Sequence, residues 1–158
     1  MKGHRIAFIG RLGGDPDAKL TPSGIAVTTI NVATTEKLNK EAVPNCPDGW
    51  KDSYNGKGWE LTTWFRCTAW RGLAEVINQY SHKGDEVYIE GRLSGDKANG
   101  TQNPRVWQGK DGTYRASFEL TIDSYRMLGS SSDGSGGGNG HTPDEPPPGM
   151  AEDNEIPF

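Results

Sequence analysis

Residues 63–71 read Thr-Trp-Phe-Arg-Cys-Thr-Ala-Trp-Arg, and their types and alternation carry the chemistry of this chain. In an extended strand successive side chains point to opposite faces, so Trp64, Arg66, Thr68 and Trp70 share one face and Phe65, Cys67 and Ala69 the other. The second set suits a core. Two indoles, a guanidinium and a hydroxyl do not; they suit a platform on which flat π-faced ligands such as nucleobases stack. The arginine there supplies phosphate contact and cation–π attraction. The alternative for the same face is an interface between subunits, covered by Trp64 and Trp70.

Further aromatic and basic residues lie in two long connections. Trp107 sits among Arg105 and Lys110, a pattern that suits nucleic-acid contact. Trp50, Tyr54 and Trp59 occupy or border the other loop, where packing against the loop itself is an equal reading. Nothing comparable points to catalysis. The three histidines (His4, His82, His141) and two cysteines (Cys46, Cys67) have no metal-ligand spacing, so neither a metal nor a cofactor is expected. Gly10-Arg11-Leu12-Gly13-Gly14 lacks the Lys-Ser/Thr of a phosphate loop. The carboxylate pairs Asp15/Asp17 and Asp85/Glu86 fall in turn or strand-edge positions, where solvated surface is the ordinary explanation.

The elements that must hold the platform follow from periodicity. Residues 4–12 alternate Ile6, Phe8, Gly10 and Leu12 against Arg5, Ala7, Ile9 and Arg11, predicting a first strand. A turn is expected over 13–24, then a second strand over 25–34, rich in Ile, Val and Thr. The third covers about 60–71. Over 72–81 the period changes: Leu73, Val76, Ile77 and Tyr80 form the apolar stripe of a helix, ended by Lys83-Gly84. Strands four (85–93) and five (114–127) follow. Three strands, one helix and two strands, with Gly-rich turns, match an all-β class with one helix: the OB-fold, a five-stranded Greek-key barrel. The loops at about 36–58 and 94–112 are long enough to require function or partial ribbon structure.

Charge and composition then divide the chain. Residues 1–128 hold all 17 Lys and Arg and form the expected folded domain; 129–158 hold 6 of the 21 acids and no base. Residues 129–149 are rich in Gly, Ser and Pro and cannot bury enough apolar surface to fold, so a tether is expected; counted on to Glu152, about 24 residues, its reach is roughly 25–30 Å. It leads to an acidic tip, 150–158, in which Asp153, Glu155, Ile156, Pro157 and Phe158 offer charge, a stiffened apolar end and a terminal carboxylate to a partner protein. The apolar run Ile6–Ile9 is too short for a signal core or a membrane span. Low cysteine content agrees with the reducing cytoplasm.

Residues 4–35, HRIAFIGRLGGDPDAKLTPSGIAVTTINVATT, and 63–93, TWFRCTAWRGLAEVINQYSHKGDEVYIEGRL, together with the terminal DNEIPF, resemble bacterial single-stranded DNA-binding proteins. Their pattern runs GxLGxDP, a short basic stretch, TPSG, and WxRxxxxGxLAExxxxYxxKGxxVYIEGRL. The resemblance implies a protein that coats single-stranded DNA in replication, recombination and repair, near the nucleoid. It implies a homo-oligomer, a tetramer by the family's habit, that recruits replication and repair proteins through the tip. Trp64 and Trp70 align with stacking aromatics, and Arg5, Lys19, Arg66 and Lys83 with basic positions near the bound strand. Arg11, Arg71, Arg92, Lys97 and Arg105 complete the expected phosphate contacts, and Trp107 the expected stacking set. Two departures stand out. Leu38 replaces a third stacking tryptophan, and Ser94-Gly95-Asp96-Lys97 replaces a basic run, so binding is expected to be weaker at both points.

Overall fold

The computed structural model describes residues 3–53, 55–96 and 100–129. Tyr54, Lys97 and residues 130–158, which hold nearly all of the expected tether and the whole tip, lie outside the described residues. The elements are β1 (Ile6–Leu12), β2 (Asp17–Leu20), β3 (Ala26–Asn39), β4 (Lys51–Asp52), β5 (Gly58–Trp70), α1 (Gly72–Tyr80), β6 (Glu86–Leu93), β7 (Val106–Gln108), β8 (Tyr114–Ala116) and β9 (Phe118–Gly129).

Five of these strands close on themselves. β1 pairs with β6, β6 with β9, β9 with β5, β5 with β3, and β3 returns to β1; all pairings are antiparallel except β5 with β9. Closure with one helix between the third and fourth barrel strands is the OB-fold. Apolar positions of the alternating strands converge inside: Leu12, Ile30, Val32, Cys67, Ala69, Val87, Ile89, Leu120 and Ile122 are buried. Phe8 stacks on Phe65 with centroids 4.5 Å apart, and Phe65 contacts Phe118 at 5.7 Å, filling the seam where β5 and β9 run parallel.

Two glycines let strands approach closely. A Cβ on Gly10 would lie 2.6 Å from the Ala33 carbonyl oxygen, and one on Gly91 would lie 2.3 Å from that of Thr121. Gly91 adjoins the β-bulge between Glu90 and Gly91 in the β6–β9 ladder, where the strand bends.

The helix covers the barrel with a narrower face than its sequence stripe predicts. Ala74 and Ile77 are buried and Leu73 packs partly on the core, whereas Val76 and Tyr80 are about half exposed. The reason is anchoring: Thr28 donates its hydroxyl hydrogen bond to the Ala74 carbonyl (2.8 Å), and the Ser81 hydroxyl meets that of Tyr125 (2.7 Å), which together set the helix rotation.

Other elements go beyond the sequence pattern. The expected turn at 13–24 contains β2. β3 and β5 run past the barrel as an arm, pairing Thr34–Asn39 with Gly58–Thr63 and edged by the short β4 on Glu60 and Trp59, so part of the first long loop is ribbon. The second loop and the start of the expected fifth strand form the β7–β8 hairpin, and Ser117 separates that hairpin from β9.

Candidate nucleic-acid interface

The outward residues of β5 are Trp64, Arg66, Thr68 and Trp70, each partly exposed, while Cys67 and Ala69 on the other face are fully buried. Burial also pushes the Cys67 thiol well above its usual range, as suits an inert core residue beneath the platform.

Strand register shows what lies beside these side chains. Directly paired residues share a face. One row across the outer wall runs Glu86, Arg11, Ala33, Trp64; the next Asn31, Arg66, Glu119; the third Asp17, Thr29, Thr68, Thr121, Arg92; the last Lys19, Val27, Trp70. The central strand, β3, therefore presents Val27, Thr29, Asn31 and Ala33, all small or short. On one side rise the indoles and Arg66; on the other stand Arg11 and Lys19, about 10 Å away across two strand spacings. The result is a trough with an aromatic wall, a basic wall and a low floor. Trp64 and Trp70 mark its length, six residues or about 20 Å apart along β5.

Acids hold most of the cations in place. Arg11 pairs with Glu86 (3.0 Å), Lys19 with Asp17 (3.0 Å), Arg92 with Asp123 (3.0 Å) and Arg105 with Glu119 (3.9 Å). Such pairs at a surface are worth only about 0–1 kcal/mol, so an incoming phosphate can replace the acid at little cost. Glu119 joins the β7–β8 hairpin to the platform, because it neighbours Arg66 in register and pairs with Arg105, which directly precedes β7. The Arg105 guanidinium lies 6.0 Å from the centroid of the Trp107 ring. Two buried polar atoms in this region have no hydrogen-bond partner among the described residues: Asn31 Oδ1 on the trough floor and Trp107 Nε1.

Not every expected contact is in the trough. Arg5 pairs with Glu90 (3.1 Å) on the wall formed by β1 and β6. Lys83 lies in the turn after α1, its backbone N–H donating to Asp15. Arg71 stands at the junction of β5 and α1, next to Trp70. Among the loop aromatics, Trp59 is engaged locally: its Nε1–H donates to the Val43 carbonyl (2.8 Å) and Lys40 lies 4.2 Å over its ring. Sequence reading missed the floor residues and Glu119. Alternation in β3 could have paired Val27, Thr29, Asn31 and Ala33 on one face, but not placed them between the two walls.

A family model described as the single-strand binding protein family matches residues 4–128, which takes in the barrel apart from the last residue of β9, the β3–β5 arm and the β7–β8 hairpin. The chain belongs to that family. It is 36% identical over 137 residues to a protein of Neisseria meningitidis serogroup A named single-stranded DNA-binding protein, a match covering 87% of this chain and 66% of that one. A Xylella fastidiosa protein named single-stranded DNA-binding protein 1 is 32% identical over 136 residues, covering 86% and 85%. The chain thus spans just under two thirds of the length of the Neisseria relative. Family membership fits the trough: its small-residue floor and aromatic wall lie within the matched segment.

Proposed function

We propose that this protein binds single-stranded DNA without sequence preference, stacking bases on Trp64, Trp70 and Trp107 while basic side chains hold phosphates, and that it performs no catalysis. The observation that carries this is the trough, in which register sets Arg11 and Lys19 opposite the two indoles across a floor of small residues. A duplex, stiff and with its bases stacked inward, offers such a trough no π-face; a single strand offers one per nucleotide. The unpartnered Asn31 oxygen and Trp107 indole N–H supply polar partners for base edges or backbone. Of the basic residues, Arg11, Lys19, Arg66, Arg71, Arg92 and Arg105 line or flank the trough. Arg5 and Lys83 serve a strand that continues around the barrel, and Lys97 is proposed as a further phosphate contact.

The test is intrinsic tryptophan fluorescence during titration with oligo-dT. Quenching at low salt and weakening with a log–log slope of roughly −0.7 per phosphate contact are expected. Equal affinity for duplex and single strand would sink the proposal.

The barrel gains from association, and its outer β1–β6 wall exposes Ile9 (55%) opposite Tyr88 in register. We assign the part of that wall around Ile9 and Tyr88 to contact between copies in a homotetramer, with Arg5 and Arg11 at its two edges left to the DNA, so that several barrels wrap one strand at the nucleoid. The segment 129–149 acts as a tether for the tip 150–158. There Asp153 and Glu155 steer toward basic partner surfaces, and Ile156, Pro157 and Phe158 enter an apolar pocket on replication and repair proteins. In the free protein the acids of the tip compete weakly for the trough. Deleting Ile156–Phe158 abolishes partner capture and leaves DNA affinity equal or slightly higher; loss of DNA binding would refute this division.

A further inference from the structure

Arg71 is the one non-glycine residue with positive φ among the described residues, at φ 57° and ψ −136°. An L-residue there suffers steric conflict between Cβ and its own backbone, and the position favours glycine. The conformation is imposed from both sides. The Arg71 N–H donates to the Ala26 carbonyl (2.7 Å), continuing the ladder between β5 and β3, and its carbonyl accepts the first helical hydrogen bond from the Glu75 N–H (3.2 Å). One residue therefore makes the whole turn from strand to helix. A glycine is present, but one position too late: Gly72 has no positive φ, and a Cβ built there would meet nothing within 4 Å. Crowding does not explain why the arginine precedes the glycine.

Charge does. Arg11, Lys19, Arg92 and Arg105 each have an acidic partner, whereas the exposed Arg71 has none among the described residues. It directly follows Trp70, whose row across the trough ends in Lys19. Trp70 thus lies beside one cation in sequence and across the floor from another.

We infer that Arg71 occupies a glycine-type conformation because its guanidinium is needed at the Trp70 end of the trough, where it binds a phosphate of the bound strand, and that the fold is less stable for it. This rests on the proposed DNA-binding face and assigns that face an end. Stability and binding are then opposed at one residue, and substitutions separate the two.

Arg71→Gly removes both the strain and the charge. Its melting temperature rises by about 2–8 °C, its Kd for oligo-dT at 0.15 M salt rises about three- to five-fold, and its salt slope shrinks by about 0.7. Arg71→Ala keeps the strained backbone and loses the charge, so it binds like Arg71→Gly without the gain in melting temperature. Arg71→Lys restores the salt slope. An Arg71→Gly protein that melts no higher than the parent overturns the strain, and unchanged salt slopes in both Arg71→Gly and Arg71→Ala overturn the phosphate contact. Trp64→Ala and Trp70→Ala, measured in the same titrations, separate the failures. If they weaken binding and Arg71→Gly does not, only this inference falls; if all are silent, the binding face itself is wrong.

Discussion

Replacing Trp64 and Trp70 by alanine, singly and together, tests the trough most directly. Stacking of a base on an aromatic side chain contributes about 1–3 kcal/mol, a range drawn from single-strand-binding proteins themselves rather than worked out from this chain. Each single substitution should then weaken oligo-dT binding by about 5- to 150-fold, at tenfold per 1.4 kcal/mol. The two indoles stand about 20 Å apart along β5, twice the distance within which substitutions ordinarily couple. Their effects should therefore multiply, giving at least about 30-fold for the double variant. Neither residue is core: both are partly exposed and pair across the ladder with Ala33 and Val27, so the loss of stability should stay well below the about 3–5 kcal/mol of a buried tryptophan. Anisotropy of a labelled oligo-dT, followed over a range of salt concentrations, reads the result. Because no charge is removed, the salt slope should stay constant while the curve shifts. A folded double variant with parental affinity refutes the stacking platform. If its mass in solution falls instead, Trp64 and Trp70 cover a subunit interface.

Other expectations follow from the same geometry. Gly10→Ala places a methyl group 2.6 Å from the Ala33 carbonyl oxygen and from Val32 Cγ1, and should cost about 1–3 kcal/mol, read as a lower urea midpoint with unchanged slope. Glu119→Gln removes the acid beside Arg66 and Arg105; oligo-dT affinity should rise and the salt slope steepen by up to about 0.7, measured by the same anisotropy titration. Cys67 stays protonated in the fold because burial disfavours its thiolate, whereas in the unfolded chain it ionises near pH 8.5. Its contribution to stability is thus intact below that pH and lost progressively above it. Urea midpoints from pH 7 to 10 should fall, and fall less in Cys67→Ala than in the parent once both are normalised at pH 7. In the native protein a thiol reagent should label only the exposed Cys46.

Much of this molecule was legible from local pattern. Side-chain direction in a strand depends only on the alternation of the backbone, so Thr63–Trp70 alone separated Trp64, Arg66, Thr68 and Trp70 from Phe65, Cys67 and Ala69, and burial agrees. The helix was legible for the same reason, but its rotation was not. Val76 and Tyr80 fit the apolar stripe, yet the hydrogen bonds from Thr28 and Ser81 turn Ala74 and Ile77 inward instead. β2 was hidden because the alternation of Asp17 and Lys19 with Ala18 and Leu20 spans only four residues between turn signals; pairing with β3 makes it a strand.

Composition and periodicity, then, determined by themselves the barrel class, the face of β5 that carries the indoles and the division of charge between residues 1–128 and 129–158. These are properties of neighbours in the chain. Tertiary structure alone decided that Arg11 and Lys19 stand opposite Trp64 and Trp70, that Glu119 ties Arg105 and Trp107 to the platform, and that Arg71 takes a glycine's conformation. Each depends on which strands meet and in what register. Closing the barrel sets that register through hydrogen bonds between distant segments, which no local pattern specifies.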